Sequence, residues 1–171
     1  MNFQDSLKLI LQFEGGFVDD ASDRGGRTNY GVTQKVYSAW LLSQNLKDAD
    51  VKNITPDEVA TIYQNQYWNS SPAKLAKDSL NTVIFDCAVN SGVGRATKTL
   101  QNALSVVADG SFGQKSIDAL NACDSVATAN KFLDTRASFY KAICINSPSQ
   151  QKFLNGWLNR VNILRKVVDA G

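Results

Sequence analysis

Glutamate is scarce in this chain. Of 16 acidic side chains, 14 are Asp and only two are Glu, Glu14 and Glu58. Glu58 has a structural reason to be there. In Thr55-Pro56-Asp57-Glu58 it stands three residues after a Thr, which is the pattern of a capping box with proline at the first helical position. Glu14 has no such reason. A helix opening after Asn2 carries Phe3, Leu7, Ile10 and Leu11 on one stripe, and at about 100° per residue Glu14 falls within about 20° of Phe3. Gly15-Gly16 then stops the helix. The expected result is a carboxyl on an apolar stripe at a helix C-terminus, where a further negative charge is unwelcome. A carboxyl that keeps its proton is what a general acid needs. The plain alternative is a Glu that swings off a frayed helix end.

The glycine-rich segment 15–33 brings possible partners. It holds five of the chain's 11 glycines, along with Asp19, Asp20, Asp23 and Thr28. An acid facing a carboxylate across a cleft is the pattern of glycoside hydrolysis, in which carboxyl separations of about 5 Å and about 6.5–9.5 Å distinguish retention from inversion. Asx-turns or solvated charges account equally for Asp19 and Asp20. A calcium loop counted from Asp19 reaches Tyr30 where a Glu is required, so no metal is expected.

Composition excludes other chemistries. The chain has no His, which removes Ser-His-Asp triads, Cys-His proteases and His-ligated zinc. Its three cysteines, Cys87, Cys123 and Cys144, form no CxxC pair and read as buried free thiols in helices. No cofactor is expected. Residues 1–75 carry 7 basic and 9 acidic side chains, and residues 76–171 carry 11 and 7. Neither half has the basic density of a nucleic-acid binder, so no nucleic acid partner is expected. No apolar run reaches the roughly 18 residues of a membrane helix, so no membrane insertion is expected. The first residues lack a basic segment and a cleavage site, so the chain does not read as carrying a signal peptide.

The elements that position these residues read as helices. Candidates follow Asn2, Thr33 (Val36, Tyr37, Trp40, Leu41) and Thr55 (Val59, Ile62, Tyr63, Gln66, Tyr67). Others surround Val83-Ile84-Cys87, Ala96-Leu100-Ala103-Leu104 and Ile117-Leu120. A long one covers about 126–145 with Phe132, Arg136, Phe139 and Tyr140 repeating, and a last one beyond Pro148 carries Phe153, Trp157, Val161, Leu164 and Val168. Strand signals are poor outside 15–33, where dense Gly, Asp and Asn suggest tight turns and a small β-hairpin. Asn69-Ser70-Ser71-Pro72 is the best internal boundary.

Two long stretches carry a resemblance. Phe13-Glu14-Gly15-Gly16-Phe17-Val18-Asp19-Asp20, followed by Asp23-Arg24-Gly25-Gly26-Arg27-Thr28-Asn29-Tyr30-Gly31-Val32-Thr33, closely resembles the signature of glycoside hydrolase family 108. These are lysozyme-like peptidoglycan muramidases of phages and bacteria. The resemblance implies Glu14 as catalytic acid, with Asp23 and Thr28 as the partners in the Glu-Asp-Thr arrangement of phage lysozymes. The Asp-to-Thr spacing here is one residue shorter than in that arrangement. Phe85-Asp86-Cys87-Ala88-Val89-Asn90-Ser91-Gly92-Val93-Gly94-Arg95, with Leu100-Gln101 and Asp109-Gly110-Ser111-Phe112-Gly113, looks like the peptidoglycan-binding region attached to this family. Phe153-Leu154-Asn155-Gly156-Trp157-Leu158-Asn159-Arg160 also fits it.

The expectation is a mostly α fold, lysozyme-like, with a minimal β-hairpin near residues 15–33. A catalytic segment 1–75 and a helical peptidoglycan-binding segment 76–171 are expected to pack as one body with the cleft between them, acting as a monomer. Tyr30, Asn90, Ser91 and Gln101 are the substrate-binding candidates, although Tyr30 fits loop packing equally well. Trp157 and Phe153 read as core, Asp109-Gly110 as a turn, and Arg160 as the partner of an acidic neighbour. Two other functions fit the same residues. One is a lytic transglycosylase giving 1,6-anhydro products, and the other is a catalytically silent wall-binding adaptor. The substrate lies outside the cytoplasmic membrane, so delivery by a phage holin or a dedicated bacterial export route is expected.

Overall fold

A computed structural model of the chain describes residues 1–19 and 26–171. It divides into two compact units, one formed by Phe3–Gln66 and the other by Met1–Asn2 with Tyr67–Gly171. Among the described residues, no helix is long and apolar enough to cross a membrane.

In the unit Phe3–Gln66, helix α1 (Phe3–Leu11) buries Phe3, Leu7 and Ile10 and packs against α3 (Pro56–Tyr63). The expected helix was longer. It ends at Leu11, and Gln12 and Phe13 close it with shorter-range bonds from their N–H groups to the Leu9 and Ile10 carbonyls. Such bonds tighten the last turn and satisfy carbonyls that the helix leaves open. Glu14 therefore lies three residues past the helix end rather than on it. Strands β1 (Thr28–Asn29) and β2 (Val32–Thr33) pair antiparallel, Thr28 with Thr33 and Asn29 with Val32. Val18 adds one bridge on the far side of Thr28. This is the small β element expected between 15 and 33.

Helix α2 (Gln34–Ser43) starts on Thr33, whose hydroxyl accepts from the Val36 N–H. The capping box of Thr55 and Glu58 is present at the start of α3, and Glu58 also accepts from the Tyr37 hydroxyl at 3.1 Å. Asn29 is buried, and its amide donates to the carbonyls of Val51 and Lys52 at 3.3 and 3.1 Å. That ties the hairpin to the 3-10 turn Val51–Asn53. The helix expected to run through Tyr67 changes character at Gln64, where a π-helical turn, Gln64–Trp68, replaces the α geometry. One extra residue per turn rotates the following face.

The second unit is built on α4 (Asp78–Ser91). Residues 79–88 are all buried, so this helix is enclosed on every side. Around it pack α5 (Val93–Ala103), α7 (Ser125–Asn146) and α8 (Gln151–Asp169), while α6 (Gln114–Ala122) precedes α7. Helices α7 and α8 run antiparallel, joined by the 3-10 turn Pro148–Gln150. Cys87 and Cys144 are buried free thiols in α4 and α7, and burial pushes the Cys87 thiol up to about 11. Cys123 is half-buried just past the end of α6.

A charge sits in the middle of that enclosed helix. Asp86 is 0% exposed. Arg136 of α7, 1% exposed, donates to one carboxylate oxygen, and Arg160 of α8 reaches the other at 2.8 Å. The pairing expected for Arg160 is thus met by Asp86. Burial alone would pull the Arg136 pKa down, but the surrounding groups, Asp86 foremost with Cys87 and Tyr140, together hold the guanidinium above its ordinary value. Removing one partner of a buried pair strands the other charge, at a cost of about 3–5 kcal/mol. Asp86→Ala is therefore expected to lower unfolding free energy by roughly that amount in urea titrations followed by circular dichroism. Arg160→Ala, at the more exposed end, should cost less.

Candidate active site

The hairpin turns through Tyr30 and Gly31, whose φ angles are both positive at 50° and 74°. This is the backbone of a tight two-residue turn matched to the twist of its strands. Gly31 has a second reason to lack a side chain. A Cβ there would lie 2.5 Å from the Tyr63 hydroxyl and 3.3 Å from both Cγ and Oε2 of Glu14. Tyr63, on α3, donates its hydroxyl hydrogen to the Tyr30 carbonyl at 2.8 Å. Glu14 is half-buried, and its carboxyl lies against the Gly31 backbone, next to the Tyr63 hydroxyl. Helix α1 delivers the acid, α3 delivers the tyrosine, and the glycine of the turn lets both approach. A small apolar hollow of about 90 Å³ lined by Leu11, Tyr30, Pro56 and Val59 lies beside them.

Thr28 belongs to the same hairpin. Its N–H donates to the Val18 carbonyl at 2.9 Å, and its hydroxyl donates to the Gly26 carbonyl at 3.0 Å. The hydroxyl oxygen keeps lone pairs to accept a further hydrogen bond. Next to it, Arg27 pairs with Asp50 at 2.6 Å and with Asp19 at 3.4 Å. The Lys52 N–H, then the Arg27 guanidinium, hold the Asp50 carboxyl below its ordinary value. Asp23 lies outside the described residues. Of the catalytic candidates, the structure brings Glu14 to the hairpin that carries Thr28.

The substrate-binding candidates divide between the units. Tyr30 stands at the hairpin turn with its side chain 40% exposed. Asn90 and Ser91 occupy the last turn of α4, where the Asn90 Oδ1 accepts from Tyr140 at 2.7 Å and from Ser91 at 3.1 Å. Gln101 lines a cavity of the second unit. It is 1% exposed, and its amide donates to Asp109 Oδ1 and the Ser111 carbonyl and accepts from the Gly110 N–H. It holds the Asp109-Gly110 turn through the Asp109 and Ser116 side chains and the Gly110 and Ser111 backbone. The Ser111 N–H, then the Gln101 amide, keep Asp109 below the usual carboxylate range. Around this turn lies a cavity of about 500 Å³ built wholly from the second unit, with Val106, Val107 and Ser116 among its walls.

Tyr63 is the site residue that sequence reasoning missed. It shares an apolar stripe with Val59 and Ile62 and so reads as core. The available signal was its hydroxyl, because a buried tyrosine needs a hydrogen-bond partner. Phe153 is the other surprise. It is 45% exposed and stacks on Trp157, which stacks in turn on Tyr140.

Comparison with known proteins bears on this geometry. The sequence pattern of the family described as Glycosyl hydrolase 108 matches residues 7–92. That described as Predicted Peptidoglycan domain matches residues 95–162. No curated protein sequence matches the chain. Among solved structures, that of Brucella abortus SagA is similar at 30% identity and a TM-score of 0.80, covering 98% of this chain and 94% of that one.

The geometry assigns Tyr63 a measurable load. Tyr63→Phe leaves the ring in place and strips the Tyr30 carbonyl of its donor. The expected cost is about 1 kcal/mol in thermal or urea unfolding, the worth of one intramolecular hydrogen bond.

Proposed function

The chain belongs to the glycosyl hydrolase 108 family, and we propose that it is an N-acetylmuramidase with Glu14 as its general acid. The coarse activity follows from the family matches: a glycoside hydrolase whose substrate is peptidoglycan. The bond we assign is the β-1,4 linkage between N-acetylmuramic acid and N-acetylglucosamine. The observation that carries the assignment is the Glu14 carboxyl seated against Gly31, beside the Tyr63 hydroxyl and on the hairpin that holds Thr28.

In this mechanism Glu14 gives its proton to the glycosidic oxygen as the bond to the anomeric carbon breaks. The sugar that remains carries developing positive charge. Asp23 either stabilises that charge or orients the water that adds to it. Thr28 accepts a hydrogen bond from the same water, since its own hydroxyl hydrogen is engaged with Gly26. Water adds at the anomeric carbon, and its released proton goes to a carboxylate of the pair. Tyr30 offers an exposed ring at the edge of this site for a sugar face. In the second unit, Asn90 and Ser91 contact the wall polymer.

Glu14→Gln keeps the shape and removes the acid. Positioned proton transfer is worth about 10²–10⁴ in rate, so hydrolysis of purified sacculi should fall by at least roughly 100-fold with the circular dichroism spectrum unchanged. Lysis close to wild type would reject the assignment of Glu14. Weighing the wild-type products tests the reaction type. Hydrolysis leaves a reducing muramic end one water heavier than the 1,6-anhydro end that a transglycosylase makes.

A further inference from the structure

One surface of the second unit, around Asn90, takes no part in the bond-breaking steps. At its centre, Asn90 Oδ1 receives three donors: Tyr140 Oη at 2.7 Å, Ser91 Oγ at 3.1 Å and Arg136 Nη2 at 3.3 Å. A guanidinium can only donate, so its contact decides which end of the Asn90 amide points inward. The two N–H donors of Nδ2 are turned the other way, and Asn90 is exposed. Aromatic rings flank it. Tyr140, Trp157 and Phe153 stack in succession at centroid spacings of 5.1 and 5.8 Å, and the Arg95 guanidinium lies 4.2 Å from the Phe139 centroid. Lys152 sits over Phe153 at 4.9 Å.

Positive charge is concentrated here. Arg136 and Arg160 pair with the fully buried Asp86 carboxylate, and Arg95 and Lys152 lie over the Phe139 and Phe153 rings. The acceptors at the centre of this surface are engaged, because the Asp86 oxygens are taken by the two guanidinium groups and Asn90 Oδ1 is taken three times. A neutral sugar needs acceptors for its hydroxyls as well as donors. A short acidic peptide needs donors for its carbonyls, cations for its carboxylates and apolar surface for its methyl groups. The surface matches the second ligand.

We propose that this aromatic and cationic surface around Asn90 binds the acidic stem peptide of peptidoglycan. The inference rests on peptidoglycan being the substrate and adds which part of the polymer the second unit reads. The Asp86–Arg136–Tyr140 network acts through Asn90 and positions its amide. The exposed Arg95 and Lys152 draw the carboxylates, and the rings receive the peptide's apolar side.

Titration calorimetry of the full chain with two soluble probes tests this. One probe is the disaccharide of N-acetylglucosamine and N-acetylmuramic acid bearing its stem tripeptide, and the other is the same disaccharide without peptide. The wild type should prefer the peptide-bearing probe by about tenfold or more, and added salt should weaken that preference. Asn90→Asp keeps the inward oxygen for Tyr140 and Arg136 but replaces the outward donors with a negative oxygen, so it should abolish the preference. Arg95→Ala, at an exposed position, should reduce it without disturbing the buried network. Equal binding of both probes by the wild type, or a preference unchanged in both variants, overturns the inference. Cleavage of sacculi is measured in parallel. A wild type that cleaves sacculi yet shows no peptide preference refutes the stem-peptide site alone. A wild type that neither cleaves sacculi nor binds either probe refutes the peptidoglycan reading, and this inference with it.

Discussion

A side chain at position 31 would collide with a tyrosine hydroxyl and crowd a carboxyl. That steric fact organises the unit Phe3–Gln66. The turn needs positive φ at Gly31, and the same residue is where Tyr63 and Glu14 converge. An ordinary hairpin turn tolerates Asn or Asp in such a position, but this one has no room for a Cβ. The rest of the unit supports the junction. Asn29 ties the hairpin to the Val51–Asn53 turn, and the Glu58 capping box starts the helix that carries Tyr63. The chain's other glutamate is thus structural: it accepts from Tyr37 and from the backbone N–H of Thr55.

The second unit is organised by a buried charge. Asp86 sits in a helix enclosed on all sides, and two guanidinium groups from two other helices neutralise it. A buried ion pair of this kind adds little net stability over an apolar core, but it penalises any packing that separates the partners. It therefore fixes the register of α4, α7 and α8 against one another. The same network continues through Tyr140 to Asn90 at the surface, so the polar interior and an exposed amide are parts of one structure.

Much of this was legible in the residues. Thr33 and Thr55 announced their helices because caps are local chemistry, and local chemistry is written in adjacent residues. The apolar stripes of α4, α5, α7 and α8 were readable for the same reason. Glu14 stood out by its misfit on an apolar stripe, yet its setting was not foreseen. The helix stops at Leu11, and the surroundings of Glu14 come from residues 17 and 49 positions further along the chain. Such long-range convergence leaves no trace in spacing. The bonding of Gln101 was not foreseen, because the turn that holds its amide lies eight to ten residues later. Arg136 carried a usable signal: a guanidinium on a stripe with Phe132 and Tyr140 must have a buried partner, and Asp86 was the acid within an equally apolar helix.

The central claim is that catalysis depends on the Glu14 carboxyl lying against an unsubstituted turn. Gly31→Ala tests it directly, by comparing initial rates of sacculus hydrolysis with wild type at a temperature where circular dichroism shows both proteins folded. The added methyl would lie 2.5 Å from the Tyr63 hydroxyl, which must shift, and 3.3 Å from the Glu14 carboxyl, which is crowded with it; misplacing a catalytic group by about 1 Å costs on the order of 100-fold. A fall of that order with the fold intact is the predicted result. Undiminished hydrolysis with alanine at position 31 would contradict the account.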